Sequence, residues 1–255
     1  MATPSLEIFL SDVHFPFEDQ IAWKFTLKII KKLKPDLLWI GGDYVDFYAI
    51  SRWDTRPARR LRLQEELDAG AEGLRQLRTA APGAKITLQE GNHEYRLQKY
   101  LWNQAPELSS LRLLELPALL GFEDSRVGHI RHGQPQKIGK LWHIHGDEMG
   151  GGGVNMARGK LLKIQKNVIF GHHHRHQSDF IRNIDGMTSG SWANGCLCGL
   201  KPDYDINPQW TQGVTVVQYS KWGSFHVSQL VYFPAERQPG RLACVVGGEM
   251  MLSDK

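Results

Sequence analysis

Asp12, His14, Asp43, Asp46, Asn92, His93, His145, His172 and His174 are the residues whose types and spacing suit them to chemistry. They fall in five short clusters: Asp12-Val13-His14, Gly42-Asp43-Tyr44-Val45-Asp46, Gly91-Asn92-His93-Glu94, His145-Gly146 and Gly171-His172-His173-His174. Imidazole nitrogens beside a few carboxylate and amide oxygens suit manganese, iron, zinc or nickel, whereas magnesium and calcium favour shells made wholly of oxygen. Two such ions about 3.5–4 Å apart can hold a bridging hydroxide and clamp a phosphoryl oxygen during in-line attack. A pair of ions needs a shared ligand, and Asp43, in the middle of the set, is the natural bridge. Asn92 can complete a shell without adding negative charge. His93, next to Asn92, is then suited to donate a proton to the leaving oxygen, with Asp46 to fix its tautomer and orientation. Any one cluster alone reads as a turn aspartate or a solvated histidine loop. Five in this order point to a two-metal hydrolytic site.

Each cluster ends or follows an apolar run that reads as a strand. Residues 6–10 form the first, running into Ser11-Asp12, and residues 37–40 the second, running into Gly41-Gly42-Asp43. Residues 85–89 form a third, before Gly91-Asn92-His93. Ile21, Phe25, Ile29, Ile30 and Leu33 predict a helix over 19–33, stopped by Pro35. Leu63, Leu67, Leu74 and Leu77 predict another over 61–77, stopped by Pro82-Gly83. This alternation predicts a parallel sheet covered by helices, with ligands on the loops at the carboxyl ends of the strands converging on one crevice. Residues 94–120, interrupted by Pro106 and Pro117, predict an insertion of two or three helices. Strands over 141–144 and 168–170 lead into His145 and Gly171, with a helix over 154–165 between them. Residues 180–184, 213–219 and 225–233 alternate in polarity with no helices between, which predicts antiparallel strands of a second sheet. A ragged tail is expected from Pro234, and the whole chain, 1–255, reads as one domain. Asp12 and His14, like His172 and His174, are two apart, so alternation would present each pair from one side of an extended segment. Gly42 and Gly91 are expected to let the backbone turn before Asp43 and Asn92.

A chain of 255 residues, 41% hydrophobic and 23% charged, is ordinary for a soluble globular protein. No run approaches the roughly 20 apolar residues of a membrane span, and the start lacks the pattern of a secretory signal. Cys196, Cys198 and Cys244 are odd in number and have no framework spacing, which suits buried thiols in a reducing, cytoplasmic setting. The net charge of +4 does not itself imply nucleic acid. Arg52, Arg56, Arg59, Arg60 and Arg62 crowd one region, and Arg158, Lys160, Lys163 and Lys166 another; each group reads either as a polyanion attractor or as a solvated helix face. Trp53, among those arginines, is placed for base stacking. The glycines at 150–153 resemble a phosphate-binding loop but fail its register at Val154 and Leu161, so they read as a rim beside His145. His129, His132 and His143 read as structural, and His173 and His176 as bystanders.

The order Asp-x-His, Gly-Asp-x-x-Asp, Gly-Asn-His-Glu, His-Gly, Gly-His-x-His, across residues 12–174, resembles the calcineurin-like metallophosphoesterase superfamily. The resemblance implies a four-layer α-β-β-α sandwich, two mixed β-sheets flanked by helices, with the metal site at the carboxyl ends of the strands. It implies that Asp12, His14, Asp43 and His174 hold one divalent transition-metal ion and that Asp43, Asn92, His145 and His172 hold the other, manganese being the first choice. His93 maps onto the family's catalytic histidine and Asp46 onto its partner. Ser/Thr protein phosphatases of this superfamily carry Arg-Gly after the second motif and Arg before the third, where this chain has Phe47 and Glu90. Those arginines bind the doubly charged phosphate of a monoester, and neither replacement offers a forked donor. The closely spaced His172-x-His174 is common in the diesterase and nuclease branches. The expected activity is therefore hydrolysis of phosphodiester bonds in nucleotides or nucleic acid, the partner being a phosphate-ester substrate and not a membrane. A broad-specificity phosphomonoesterase and a non-catalytic metal-binding scaffold are the alternatives.

Overall fold

β1 (Leu6–Leu10), β2 (Leu37–Ile40) and β3 (Lys85–Gln89) are short and buried on both faces, the pattern of strands covered from two sides. The computed structural model describes residues 5–52, 62–148, 153–184, 186–201 and 208–254. Trp53, Arg56, Arg59, Arg60 and the glycines at 150–152 lie outside the described residues, as do the readings attached to them. α1 (Gln20–Leu33) joins β1 to β2. It starts where the Asp19 carboxylate accepts the Ile21 and Ala22 N–H groups at 2.9 Å, and it stops at Lys34 in the left-handed region just before Pro35. α2 (Leu63–Ala80) precedes β3. The insertion after β3 holds α3 (Glu94–Gln104), two short 3-10 turns, α4 (Leu116–Leu119) and α5 (Phe122–Ser125), and then β4 (Val127–Ile130) returns to the sheet. β1, β2, β3 and β4 run parallel in that spatial order.

The second sheet contains β5 (Gln136–Ile138), β6 (Leu141–His143), β7 (Val168–Phe170), β8 (Gln177–Arg182) and β9 (Thr188–Ala193), in the order β5-β6-β7-β9-β8. Its three central strands are parallel and its two edges antiparallel. α6 (Met156–Ile164) crosses from β6 to β7. Alternation along β1 sorts the layers: Ile8 and Leu10 join the core under α1 and α2, while Phe9 points to the other side. There Phe9, Trp39 and Val217 meet Leu141, Ile169 and Trp192 of the second sheet. Beyond that sheet, Ile144, Val168 and Phe170 pack with Ile164 of α6. The result is two large mixed sheets flanked by helices.

Two expectations are corrected. β10 (Gly213–Tyr219) and β11 (Phe225–Val231) do not extend the second sheet; β10 pairs antiparallel with β1 and completes the first. Alternating polarity identifies a strand but not its neighbour, and the free edge of β1 was the partner available. The segment after Phe233 is not a ragged tail. β12 (Phe233–Pro234), β13 (Leu242–Val246) and β14 (Glu249–Leu252) form a small antiparallel sheet, with Cys244, Val246 and Met251 in the core that α1 shares. The turn dipeptide Gly247-Gly248 between β13 and β14 is a hairpin signal that the surrounding Arg, Gln and Pro residues obscured.

A buried polar contact is among those that join the two sheets. The Glu7 carboxylate on β1 is 2.8 Å from Nε2 of His143 on β6 and accepts the Tyr219 hydroxyl of β10 at 2.7 Å. Glu7 and His143 are fully buried. Removing one partner of such a buried pair leaves the others without a counterpart, so Glu7→Ala should lower unfolding free energy by roughly 3–5 kcal/mol, read by chemical denaturation. A loss below about 1 kcal/mol would show that the sheets do not depend on this contact.

Candidate metal centre

All five clusters leave the carboxyl ends of parallel strands: Asp12 and His14 after β1, Asp43 and Asp46 after β2, Asn92 and His93 after β3, His145 after β6, and His172 and His174 after β7. Backbone hydrogen bonds tie four of these loops in two pairs, the loop after β1 to that after β2 and the loop after β6 to that after β7. Asp12 N–H donates to Gly42 O and His14 N–H to Asp43 O, each at 3.0 Å, and Gly171 N–H donates to His145 O at 2.8 Å. The local conformation differs from the extended segments expected. Asp12, His14, Asp43, His172 and His174 all have positive φ, between 51° and 70°. Such non-glycine residues cost about 1–3 kcal/mol each and persist where the surroundings over-determine them, which is a recurring property of functional sites. Side chains two apart therefore converge because the chain curls at each of them, not because a strand alternates. Gly42 does turn the chain, at φ 91°. Gly91 has no such φ; a Cβ there would lie 2.3 Å from Asp43 Oδ1 and 2.7 Å from His145 Cε1, so that glycine supplies room.

The side chains of all nine predicted residues meet in one cluster. Asp43 Oδ2 is 3.3 Å from Nε2 of His145, 3.8 Å from Nε2 of His93 and 4.0 Å from Nε2 of His14. On one side of it, Nε2 of His174 is 3.2 Å from Nε2 of His14 and 3.4 Å from Asp12 Oδ1. On the other, Nε2 of His145 is 3.1 Å from Asn92 Oδ1, and His172 joins Asp43 and His145 within 4.8 Å. The second-nitrogen contacts fix the ring tautomers. His145 Nδ1 donates to the Gly41 carbonyl at 2.8 Å, and His14 Nδ1 donates to the Asp46 carboxylate at 3.0 Å. Their Nε2 atoms face the Asp43 carboxylate, and His145 Nε2 also faces the Asn92 amide oxygen, so a cation there could take the place of a ring proton between nitrogen and oxygen. His172 Nδ1 is buried with no hydrogen-bond partner. The donor set thus fits two divalent ions.

Charge follows the same pattern. Burial raises the Asp43 pKa, but the imidazoles of His145, His93 and His14 outweigh it and hold the carboxyl well below its ordinary range. Burial disfavours charge on His145, yet Asp43 and then Asp12 raise its pKa well above that of a free imidazole. Asp46 is likewise held low against burial by the His14 bond and the nearby His93 imidazole. The expected pairing of Asp46 with His93 takes an unexpected form. The Asp46 backbone carbonyl accepts His93 Nδ1–H at 2.9 Å, while its carboxylate is 3.6 Å from that nitrogen and is engaged with His14.

Several residues at this centre were given no role in it from the sequence. The buried Glu94 carboxylate accepts four backbone N–H groups, those of Asp43 at 3.0 Å, Tyr44 at 2.7 Å, Val45 at 2.9 Å and Gly91 at 2.7 Å. Burial and then Asp43 push its pKa up to about 7. Arg96 reaches Asp46 and His93 from the same helix. Helical spacing onward from His93 would have suggested Arg96, three residues on. Glu148 accepts the His145 and Gly146 N–H groups at 3.2 and 2.8 Å, and the fully buried Lys160 donates to Gly146 O. Cys198 Sγ sits 3.6 Å from His174 Nδ1, for which no sequence spacing gives a signal. Of the expected structural histidines, His129 and His132 bond to Glu90 and Asp147 at 2.8 and 2.9 Å. No helix among the described residues is long and apolar enough to cross a membrane.

Two phage proteins are similar in sequence. The Gene 54 protein of Mycobacterium phage L5 is 27% identical over 176 residues, 66% of this chain and 68% of that protein. The Gene 54 protein of Mycobacterium phage D29 is 27% identical over 196 residues, 74% and 72% of the two chains. Among solved structures, Vps29 of Chaetomium thermophilum aligns over 98% of this chain and 97% of its own, at 12% identity and a TM-score of 0.48. Vps29 of Entamoeba histolytica complexed with zinc aligns over 97% of each chain, at 12% identity and a TM-score of 0.44. The family model for calcineurin-like phosphoesterases matches residues 8–192, which include every candidate ligand, and the chain belongs to that family.

Proposed function

We propose that this protein is a dinuclear-metal phosphodiesterase acting on nucleotides or nucleic acid. The observation that carries the reading is the single Asp43 oxygen within 4.0 Å of three imidazole nitrogens, with further donors on both sides of it. Asp12, His14, Asp43 and His174 would hold one ion and Asp43, Asn92, His145 and His172 the other, with manganese as the first choice. When bound, the two ions supply neutralisation of phosphoryl charge and a nucleophile at neutral pH. The protein's own groups do the rest. His93, oriented by the Asp46 carbonyl through Nδ1, directs Nε2 toward Asp43 and is suited to give a proton from that atom to the leaving oxygen. His14 is held by Asp46, and His145 by Gly41, so that neither ring must reorganise.

A diester is favoured because neither position that carries an arginine in the monoester-specific branch is free to help. Phe47 is fully buried in the core beneath α2, and Glu90 is engaged with His129 and with the His132 N–H. The three free, buried cysteines support a reducing cytoplasmic setting. Manganese-loaded protein should cleave bis(p-nitrophenyl) phosphate faster than p-nitrophenyl phosphate. A preference for the monoester would establish the phosphomonoesterase alternative, and inertness toward both would establish a metal-binding scaffold. His93→Ala should retain metal and lose roughly 10²–10⁴-fold in kcat, the usual contribution of acid catalysis. Metal loss in that variant, measured by elemental analysis, would instead make His93 a ligand.

A further inference from the structure

Arg96 lies three residues beyond His93, one turn into α3, with a side chain about 20% exposed. Its Nη1 donates to the Asp46 backbone carbonyl at 3.0 Å and lies 3.4 Å from Asp46 Oδ1. Its Nη2 donates to Nε2 of His93 at 2.9 Å. That imidazole nitrogen is 3.8 Å from the Asp43 oxygen at the middle of the candidate metal centre, so one arm of the guanidinium is a single hydrogen bond from where a substrate would react. A guanidinium only donates, so it occupies His93 Nε2 as a neutral acceptor. An anionic oxygen is the stronger partner for the same N–H, and release leaves the His93 Nε2 lone pair free to take up a proton from solvent, which it can then pass to the leaving oxygen.

We propose that Arg96 binds the substrate phosphoryl group, its Nη2–H exchanging His93 for a non-bridging phosphoryl oxygen while Nη1 stays anchored on Asp46. The assignment rests on the phosphodiesterase reading and deepens it. Positions 47 and 90 provide no guanidinium, and a single fork from α3 suits the single charge of a phosphodiester better than the double charge of a monoester. Release of His93 and capture of the phosphoryl oxygen are then one event. The planar fork, held at one arm, sets the orientation of the other, which a lysine ammonium on its flexible stem would not do.

The test titrates inorganic phosphate into manganese-loaded wild type, Arg96→Gln and Arg96→Lys by calorimetry, with metal content measured on each sample. Steady-state kinetics on bis(p-nitrophenyl) phosphate run in parallel. Arg96→Gln should weaken phosphate binding and raise KM about 10–100-fold, the range for a lost charged hydrogen bond, with both ions retained and Arg96→Lys intermediate. Added methylguanidinium should recover part of the phosphate affinity of the glutamine variant. Unchanged phosphate affinity and KM in metal-replete Arg96→Gln, or in Arg96→Lys should the glutamine variant shed metal, would overturn the assignment. Wild type that binds phosphate yet cleaves neither ester would sink the phosphodiesterase reading separately, with the role of Arg96 still decided by the calorimetry.

Discussion

Asp43→Ala is expected to bind neither metal ion tightly and to show hydrolysis at the background of the buffer. The reason is geometric: one Asp43 oxygen lies 3.3 Å from His145, 3.8 Å from His93 and 4.0 Å from His14, so both halves of the donor set are arranged around it. The other oxygen accepts the His93 N–H at 2.9 Å, so the same carboxylate also fixes the backbone of the catalytic candidate. Without it, His14 and His145 would face each other's half-site with no anion between to balance two divalent charges. Elemental analysis after dialysis reads the outcome, and circular dichroism checks that the chain stays folded. Two ions per chain retained in folded Asp43→Ala would end its role as the bridge.

Glu94→Ala should be the most destabilising single change at the site. Its carboxylate takes four buried N–H groups from the loops after β2 and β3, and alanine would leave all four without an acceptor. An unsatisfied buried donor costs about 1–3 kcal/mol, so a loss of roughly 4 kcal/mol or more is expected even where water repairs part of the damage. That is a large fraction of the about 5–15 kcal/mol that holds a domain folded. Glu94→Gln keeps one carbonyl oxygen and loses the other, and should fall between wild type and alanine in denaturant midpoint. Metal affinity should follow the same order, because the four donors fix Asp43 and Gly91 beside it. A Glu94→Ala midpoint equal to wild type would mean that these loops hold their shape without the clamp.

The elements nearest the site were the most legible. α1 began and ended within a residue of its expected span because Asp19 and Pro35 mark its ends chemically, and β1, β2 and β3 matched their apolar runs. The convergence of the nine side chains was legible for a similar reason: each cluster follows a short apolar strand, and parallel strands bring their carboxyl ends to one edge. Strand partnership was not legible, as β10 beside β1 shows, since that pairing joins residues as far apart as Leu6 and Gln218, whose local sequence carries no address.

The amino-acid order by itself determined which side chains could bind metal and that short parallel strands would carry them to one edge, because composition and periodicity are local properties. Tertiary structure alone decided how they converge. Left-handed backbone at Asp12, His14, Asp43, His172 and His174, the clearance at Gly91, the Glu94 clamp and the Arg96 fork all depend on contacts between distant loops. Those contacts hold residues in conformations that isolated segments would abandon, and only the packed sheets supply the constraint.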